Sequence, residues 1–144
     1  MQFIDLSKQQ KLIREKINAR IQLVLDHGQY INGKEVFELE ELLANYVDRK
    51  YCISCSSGTD ALLIPLMAYG IGPGDAVITT PFTYIATAEV IAILGATPVF
   101  VDIYEKTFNI DPCSIEEAVT FAKKQNLVPK AVIPVDLFGL PARY

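Results

Sequence analysis

The chain has 144 residues, the length of one modest domain, and a formal net charge of −4 at pH 7. Apolar residues make up 51% of it, which is enough for a packed core and excludes a disordered or fibrous protein. Acidic and basic residues are interspersed, with no basic run and no Trp, so nucleic acid is not expected as a partner. An anionic ligand would have to be held by local geometry rather than by a general positive field.

The sequence contains no segment with the pattern of a signal peptide or a membrane-spanning helix. The N-terminal residues 1–5 lack the charged-then-apolar layout of a signal peptide. The longest apolar stretch, 61–71, contains Pro65 and Gly70 and is shorter than the roughly 20 residues that a bilayer span requires. We expect a soluble, cytoplasmic protein without a membrane partner.

Three cysteines are too few for a disulfide framework, but Cys52 and Cys55 have the CxxC spacing of a zinc or redox site. The surrounding residues have the pattern of a strand, in which positions 52 and 55 would face opposite sides. His27 is the only histidine available to complete a metal site. We therefore interpret Cys52, Cys55 and Cys113 as structural thiols, the first two as small buried strand residues, and predict no metal.

The N-terminal third predicts two helices. Apolar residues between Ser7 and His27 recur at helical spacing, at Ile13, Ile17, Ile21 and Val24. Gly28 is expected as the C-terminal cap, and His27 as a cation at the helix end. A second helix is predicted from about Lys34 to Arg49. Residues 1–50 are thus expected to form an N-terminal helical segment.

From Tyr51 onward, short apolar runs alternate with helical segments. The runs have the length of strands and lie at Tyr51–Cys55, Ala76–Thr80, Thr97–Val101 and Ala131–Val135. The predicted helices between them are Gly58–Tyr69, which is expected to bend at Pro65, then Thr83–Leu94 and Ser114–Gln125. Ser114 and Glu117 have the spacing of a capping box. Continuous apolar strands separated by helices are typical of a mainly parallel sheet with helices on both faces, so the predicted fold class is α/β.

The last predicted strand is followed by a turn that should lead into another helix, but the sequence stops at Tyr144. We therefore expect residues 51–144 to be an incomplete α/β domain of a longer protein.

The segment Ser56–Asp60 follows a predicted strand and opens a helix. The free N–H groups and the dipole of such a helix end bind phosphate, and Gly58 allows the backbone to approach closely. The hydroxyls of Ser57 and Thr59 would add donors. Since the same residue types are also good helix caps, the spacing does not decide between a phosphate site and a cap.

Two other features are less specific. Phe82 and Tyr84 follow a strand end, where ligands collect in parallel sheets, and either ring could stack on a planar ligand. Spacing does not choose between them, and we expect at least one of the two rings to pack in the core. Asp102 and Asp136 also follow strands, and we favour turn caps over an acid/base pair. The glycine-rich segment 70–75 lies before a strand rather than after one, which excludes a dinucleotide-binding loop.

Six motifs occur in order along the whole chain: Phe3-Ile4-Asp5-Leu6, the loop Gly28 to Val36, Ser56 to Leu62, Gly70 to Asp75, Pro81 to Thr87 and Gly95 to Asp102. Together they resemble the DegT/DnrJ/EryC1/StrS family of sugar aminotransferases, which use pyridoxal 5′-phosphate (PLP).

The resemblance implies the N-terminal part of the large domain of an aspartate aminotransferase-like fold (fold type I). It implies that Ser57, Gly58 and Thr59 hold the cofactor phosphate and that Tyr84 stacks on the pyridine ring. The loop from Tyr30 to Gly33 matches a segment near the active site and is expected to contact substrate.

The same resemblance implies a function. A homodimer would transfer an amino group, through PLP and pyridoxamine 5′-phosphate (PMP), from an amino-acid donor to a nucleotide-linked keto-sugar, in amino-sugar and polysaccharide biosynthesis. The family's Schiff-base Lys would lie beyond Tyr144, so no catalytic residue is expected within the chain, which alone should be inactive. Many members have His at the position of Asp136. Two alternatives remain open: a PMP-dependent sugar dehydratase and a non-catalytic regulatory or binding member.

Overall fold

The computed structural model describes residues 4–143 and divides after Ser54 into two compact units. Phe3 of the first motif and the C-terminal Tyr144 lie outside the described residues. Within residues 4–143, no helix is long and apolar enough to cross a membrane.

The first unit contains helix α1, Leu6–His27, and helix α2, Lys34–Tyr46. The Asp5 carboxylate caps the start of α1 by accepting the Ser7 N–H at 3.1 Å. At its other end, Gly28 adopts a left-handed φ of 68° and donates its N–H to the Val24 carbonyl at 2.9 Å, which confirms the predicted glycine cap. Helix α2 ends three residues earlier than predicted, just before Asp48 turns the chain with a φ of 52°.

The strand predicted at Tyr51–Cys55 is wrong. A strand requires a hydrogen-bonding neighbour, and no strand in the described part of the chain pairs with this segment. Cys52 is half-buried and Cys55 is exposed, so the prediction of two buried strand thiols is also wrong. The Cys55 thiol donates to the Ser57 carbonyl, with a sulfur–oxygen distance of 3.3 Å.

The second unit is an α/β structure, as predicted. Its elements, in chain order, are α3 (Gly58–Ala68), β1 (Asp75–Thr79), α4 (Ala86–Ile93), β2 (Thr97–Phe100), a 3-10 turn (Pro112–Ser114), α5 (Ile115–Lys124) and β3 (Val128–Val132). The three strands are parallel, in the order β2-β1-β3. Ala76 of β1 lies opposite Thr97 of β2, and Asp75 lies opposite Val128 of β3.

The central strand β1 is buried along its whole length, and its side chains alternate between two apolar clusters. Val77 packs with Val90 and Ile91 of α4 on one face, where α3 also lies. Ile78 packs on the other face with Ala118 of α5. Helices therefore cover both faces of the sheet, which confirms the predicted layers.

Two local predictions need correction. Strand β3 begins three residues before the predicted Ala131, because Asn126 takes a φ of 60° and returns the chain to the sheet at once. Ser114 makes no capping hydrogen bond to the backbone, so the predicted capping box does not form. Instead, the Asp111 carboxylate accepts from the Cys113 N–H at 3.0 Å and from the Ser114 hydroxyl at 3.2 Å.

One more difference concerns a helix. Helix α4 begins at Ala86 rather than Thr83, because residues 80–84 form a turn. Pro65 lies within α3, as the sequence predicted.

The packing of α4 predicts opposite outcomes for two isoleucines two positions apart. Ile91 is fully buried against the sheet, whereas Ile93 is 61% exposed. We expect Ile91→Ala to lower the free energy of unfolding by about 2–5 kcal/mol, since it leaves a cavity in the core. The matched change Ile93→Ala should cost less than about 1 kcal/mol, since it removes little buried surface. Denaturant unfolding of both variants checks this, and equal losses would contradict the described face of α4.

Candidate functional site

The first turn of α3 offers a group of free donors. Ser57 is extended, with φ −158° and ψ 166°, and its hydroxyl oxygen accepts the Asp60 N–H at 3.1 Å. Its carbonyl accepts the Ala61 N–H at 3.0 Å. The N–H groups of Gly58 and Thr59 are left without an acceptor inside the helix, as geometry requires at a helix start. Ser57 therefore caps the helix while two backbone donors stay available.

These donors lie at an open surface. Ser57 and Gly58 are exposed, and a Cβ built on Gly58 would meet no heavy atom within 4 Å. The acidic residue of the first turn, Asp60, accepts a hydrogen bond from the Ser56 hydroxyl. Two N–H groups, nearby hydroxyls and the positive helix end form a donor set that fits a phosphate.

The structure separates the two rings that spacing alone did not. Tyr84 is 73% exposed and Phe82 is 42% exposed, and neither ring belongs to a core cluster, so the expectation that at least one packs in the core is wrong. Phe82 nevertheless contacts the rings of Phe108 and Phe138. The turn that holds both rings is anchored at buried Thr80, whose hydroxyl oxygen accepts the Phe82 N–H at 3.1 Å. Tyr84 is thus the ring free to stack on a planar ligand.

The two strand-end aspartates are local caps. The Asp102 carboxylate accepts the Ile103 N–H at 2.8 Å. The Asp136 carboxylate accepts the Ala142 N–H at 2.8 Å, and its carbonyl accepts the Gly139 N–H at 2.9 Å. These bonds support the interpretation as turn caps that the sequence favoured.

Tyr30 and Gly33, the predicted substrate residues, lie in the first unit. Tyr30 is 68% exposed. Gly33 is buried at the start of α2, where a Cβ would come within 2.6 Å of the Gln29 carbonyl oxygen. The close packing of this loop is therefore a sufficient reason for glycine at position 33.

His27 joins the two helices of the first unit. Its Nδ1 accepts the Gln29 N–H at 3.0 Å, and its Nε2 lies 3.1 Å from a Glu35 carboxylate oxygen. The side chain lies in the last turn of α1, where the sequence predicted it, and both of its ring nitrogens contact neighbouring polar groups. The pKa of Glu35 is lowered by a hydrogen bond from its own N–H and, to a lesser degree, by His27.

Glu40 is a residue that sequence reasoning missed. Its carboxylate accepts both the N–H and the hydroxyl of Ser54, each at 2.7 Å. This contact holds Ser54 against α2. The partners lie 14 positions apart in the sequence, so no local pattern would have revealed this contact.

No group of three or more His, Cys, Asp or Glu side chains with metal-binding geometry occurs in residues 4–143. The candidate site in the second unit comprises the open start of α3 and the exposed Tyr84 ring in the turn that precedes α4. Helices α3 and α4 pack on the same face of the sheet.

Comparison with known proteins supports the resemblance that the six motifs indicated. A family model described as the DegT/DnrJ/EryC1/StrS aminotransferase family matches residues 11–143. The chain belongs to this family.

Individual members are similar over most of this chain. It is 58% identical, over 139 residues, to UDP-2-acetamido-2-deoxy-3-oxo-D-glucuronate aminotransferase of Pseudomonas aeruginosa, a match covering 96% of this chain and 37% of that protein. The crystal structure of a DegT/DnrJ/EryC1/StrS aminotransferase from Brucella abortus matches with a TM-score of 0.96 at 50% identity, covering 100% of this chain and 39% of that one.

A third member was solved with its cofactor. NtdA from Bacillus subtilis with bound PMP matches with a TM-score of 0.81 at 38% identity, covering 89% of this chain and 28% of that one. The chain therefore spans 28–39% of the length of these DegT/DnrJ/EryC1/StrS relatives. Its α/β fold is that of fold type I aminotransferases.

The Glu40 contact predicts a pH dependence of stability. Hydrogen bonds from Ser54, first its N–H and then its hydroxyl, hold the pKa of Glu40 below its ordinary value. A lowered native pKa adds stability above the unfolded value, about 4.3 for Glu, and this stability is lost as the pH falls through the native pKa. We expect wild type to exceed Glu40→Gln in stability at neutral pH, and the difference to shrink below about pH 4.

Denaturant unfolding at a series of pH values measures this difference. Glu41→Gln is the matched control, because the Glu41 carboxylate has no hydrogen bond or ion pair with any described residue. A Glu40→Gln deficit that is the same at neutral and acidic pH would contradict the role of the charged carboxylate.

Proposed function

We propose that the whole protein is a PLP-dependent aminotransferase that acts on a nucleotide-linked keto-sugar with an amino acid as amino donor. Its place would be in amino-sugar and polysaccharide biosynthesis. Family membership and the 58% identity to an aminotransferase of a UDP-linked keto-sugar support the substrate class. The observation that carries the proposal is the open donor group at the start of α3, which fits the phosphate of such a cofactor.

The residues of this chain would bind and orient the cofactor. The N–H groups of Gly58 and Thr59 donate to the phosphate, and the Ser57 hydroxyl, whose oxygen already accepts from Asp60, donates its own proton. The exposed Tyr84 ring offers a stacking platform for the pyridine ring. When bound, the cofactor supplies an electron sink and stores the amino group between the two half-reactions.

The remaining roles follow from the same proposal. Residues 51–144 would be part of the cofactor-binding large domain and residues 1–50 a separate helical segment, in which Tyr30 and Gly33 approach the substrate. The whole protein would act in the cytoplasm as a homodimer, without a nucleic-acid or membrane partner. The lysine that anchors the cofactor would come from outside these 144 residues, so the chain alone would not turn over.

A trapping experiment tests the activity class. We expect incubation of the whole protein with PLP, followed by borohydride reduction, to give one cofactor-sized mass increase on one lysine outside residues 1–144. Intact and peptide mass spectrometry measure it. Binding of PMP without any adduct would favour a dehydratase of this family, and failure to bind either form would sink the enzyme proposal in favour of a binding or regulatory role.

Gly58→Ala separates cofactor binding from folding. A Cβ at position 58 meets nothing in the protein, so thermal stability should be unchanged. The methyl group would, however, stand where the phosphate must approach the backbone. We expect PMP affinity, measured by fluorescence titration, to fall by roughly 10-fold or more, the effect of losing a hydrogen bond to a charged group.

The control is Gly72→Ala, at a position where a Cβ also finds room, 3.9 Å from the Leu94 carbonyl oxygen. It should change neither stability nor PMP affinity. Wild-type affinity in Gly58→Ala would argue against a phosphate at this helix start.

A further inference from the structure

Three phenylalanine rings from three distant segments meet in the second unit. The ring centroids of Phe82 and Phe108 are 5.8 Å apart, those of Phe82 and Phe138 6.2 Å, and those of Phe108 and Phe138 5.4 Å with the rings edge to face. These are the distances and tilts of favourable aromatic pairs. We call these three residues the aromatic cluster.

The cluster lies beyond the carboxyl ends of the strands. Phe82 follows β1, Phe108 belongs to the loop after β2, and Phe138 follows β3. Because the three strands are parallel, their carboxyl ends share one edge of the sheet. This is the edge from which the turn bearing Tyr84 departs.

The loop that bears Phe108 is firmly shaped. An antiparallel bridge joins Ile103 to Ile110 at its base, and the Tyr104 carbonyl accepts the Phe108 N–H at 2.8 Å. Phe108 itself has a φ of 62°, a left-handed conformation that costs energy for a residue with a bulky side chain. Such a conformation persists where the surrounding contacts hold the ring in place.

A second link joins the same loop to the segment that bears Phe138. The Asn109 side-chain amide donates to the carbonyls of Leu140 and Pro141, at 3.1 and 3.3 Å. Within that segment the Asp136 carboxylate accepts the Ala142 N–H. The Phe108 and Phe138 rings are therefore presented to Phe82 by two loops that are tied to each other.

Phe82 in turn belongs to the turn that carries Tyr84. The backbone is fixed at Thr80 by the Phe82 N–H, and Thr83 and Thr87 share a hydrogen bond between their hydroxyls, 3.0 Å long. Tyr84 is 73% exposed and packs in neither core cluster. The turn, and not the core, is therefore the part of the structure that supports Tyr84.

We propose that the aromatic cluster acts as a clamp that positions Tyr84: the Phe108 and Phe138 rings hold Phe82, and Phe82 holds the turn so that the Tyr84 ring faces a planar ligand. Phe82, Phe108 and Phe138 are positioning residues and touch no cofactor. This inference rests on the proposed binding of PLP or PMP at Tyr84.

The test uses the whole protein with PMP as the probe. Phe138 is 68% exposed, so Phe138→Ala removes two ring contacts with little loss of core packing. It weakens PMP binding roughly 3- to 10-fold, the value of one or two aromatic pairs, and reduces the induced circular dichroism of bound PMP. Phe138→Tyr, which keeps a ring, restores both. Phe121→Ala, which truncates an exposed Phe on α5, changes neither.

A double-mutant cycle shows whether the clamp acts through Tyr84. Adding Phe138→Ala to Tyr84→Ala weakens PMP binding no further than Tyr84→Ala alone. Additive losses, or an unchanged affinity and dichroism in Phe138→Ala, overturn the clamp while leaving the cofactor site intact. An unchanged affinity in Tyr84→Ala itself overturns both the clamp and the assignment of Tyr84 in the proposed function.

Discussion

The burial of strand β1 between two helical layers is the constraint on which the second unit depends. All five of its residues are buried, and its side chains alternate between the cluster with α3 and α4 and the cluster with α5. Even its one charged residue, Asp75, is satisfied, since its carboxylate accepts the Gly72 N–H at 3.0 Å and lies 3.5 Å from the Lys130 ammonium. Both neighbouring strands take their register from this strand.

The candidate site follows from that arrangement. Because helices pack on both faces of β1, the position of its last residue is fixed, and the turn at Thr80–Tyr84 starts from that position. Helix α3, packed on the same sheet as α4, keeps its first turn exposed while its later residue Leu66 is buried. Rigid elements thus support a polar helix start and an aromatic ring that the core itself does not use.

Local sequence patterns predicted those features whose causes are local. The glycine cap at Gly28 and the α/β class depend on neighbouring residues and on the period of the apolar residues, and the structure has both. The errors have non-local causes. Tyr51–Cys55 has the composition of a strand, but no strand among the described residues pairs with it. Asp111, rather than Ser114, accepts the capping hydrogen bond before α5.

Ordered motifs and short-range periodicity in the sequence identify the family, the residue types at the start of α3 and the order of helices and strands from α3 to β3. The ring contacts of Phe82 depend on the fold, because its partners lie 26 and 56 residues away in the sequence (108 − 82 and 138 − 82). The Glu40–Ser54 and His27–Glu35 contacts likewise form only when the chain folds. Contacts between distant residues leave no period in a single sequence, so their geometry emerges only when the chain is folded.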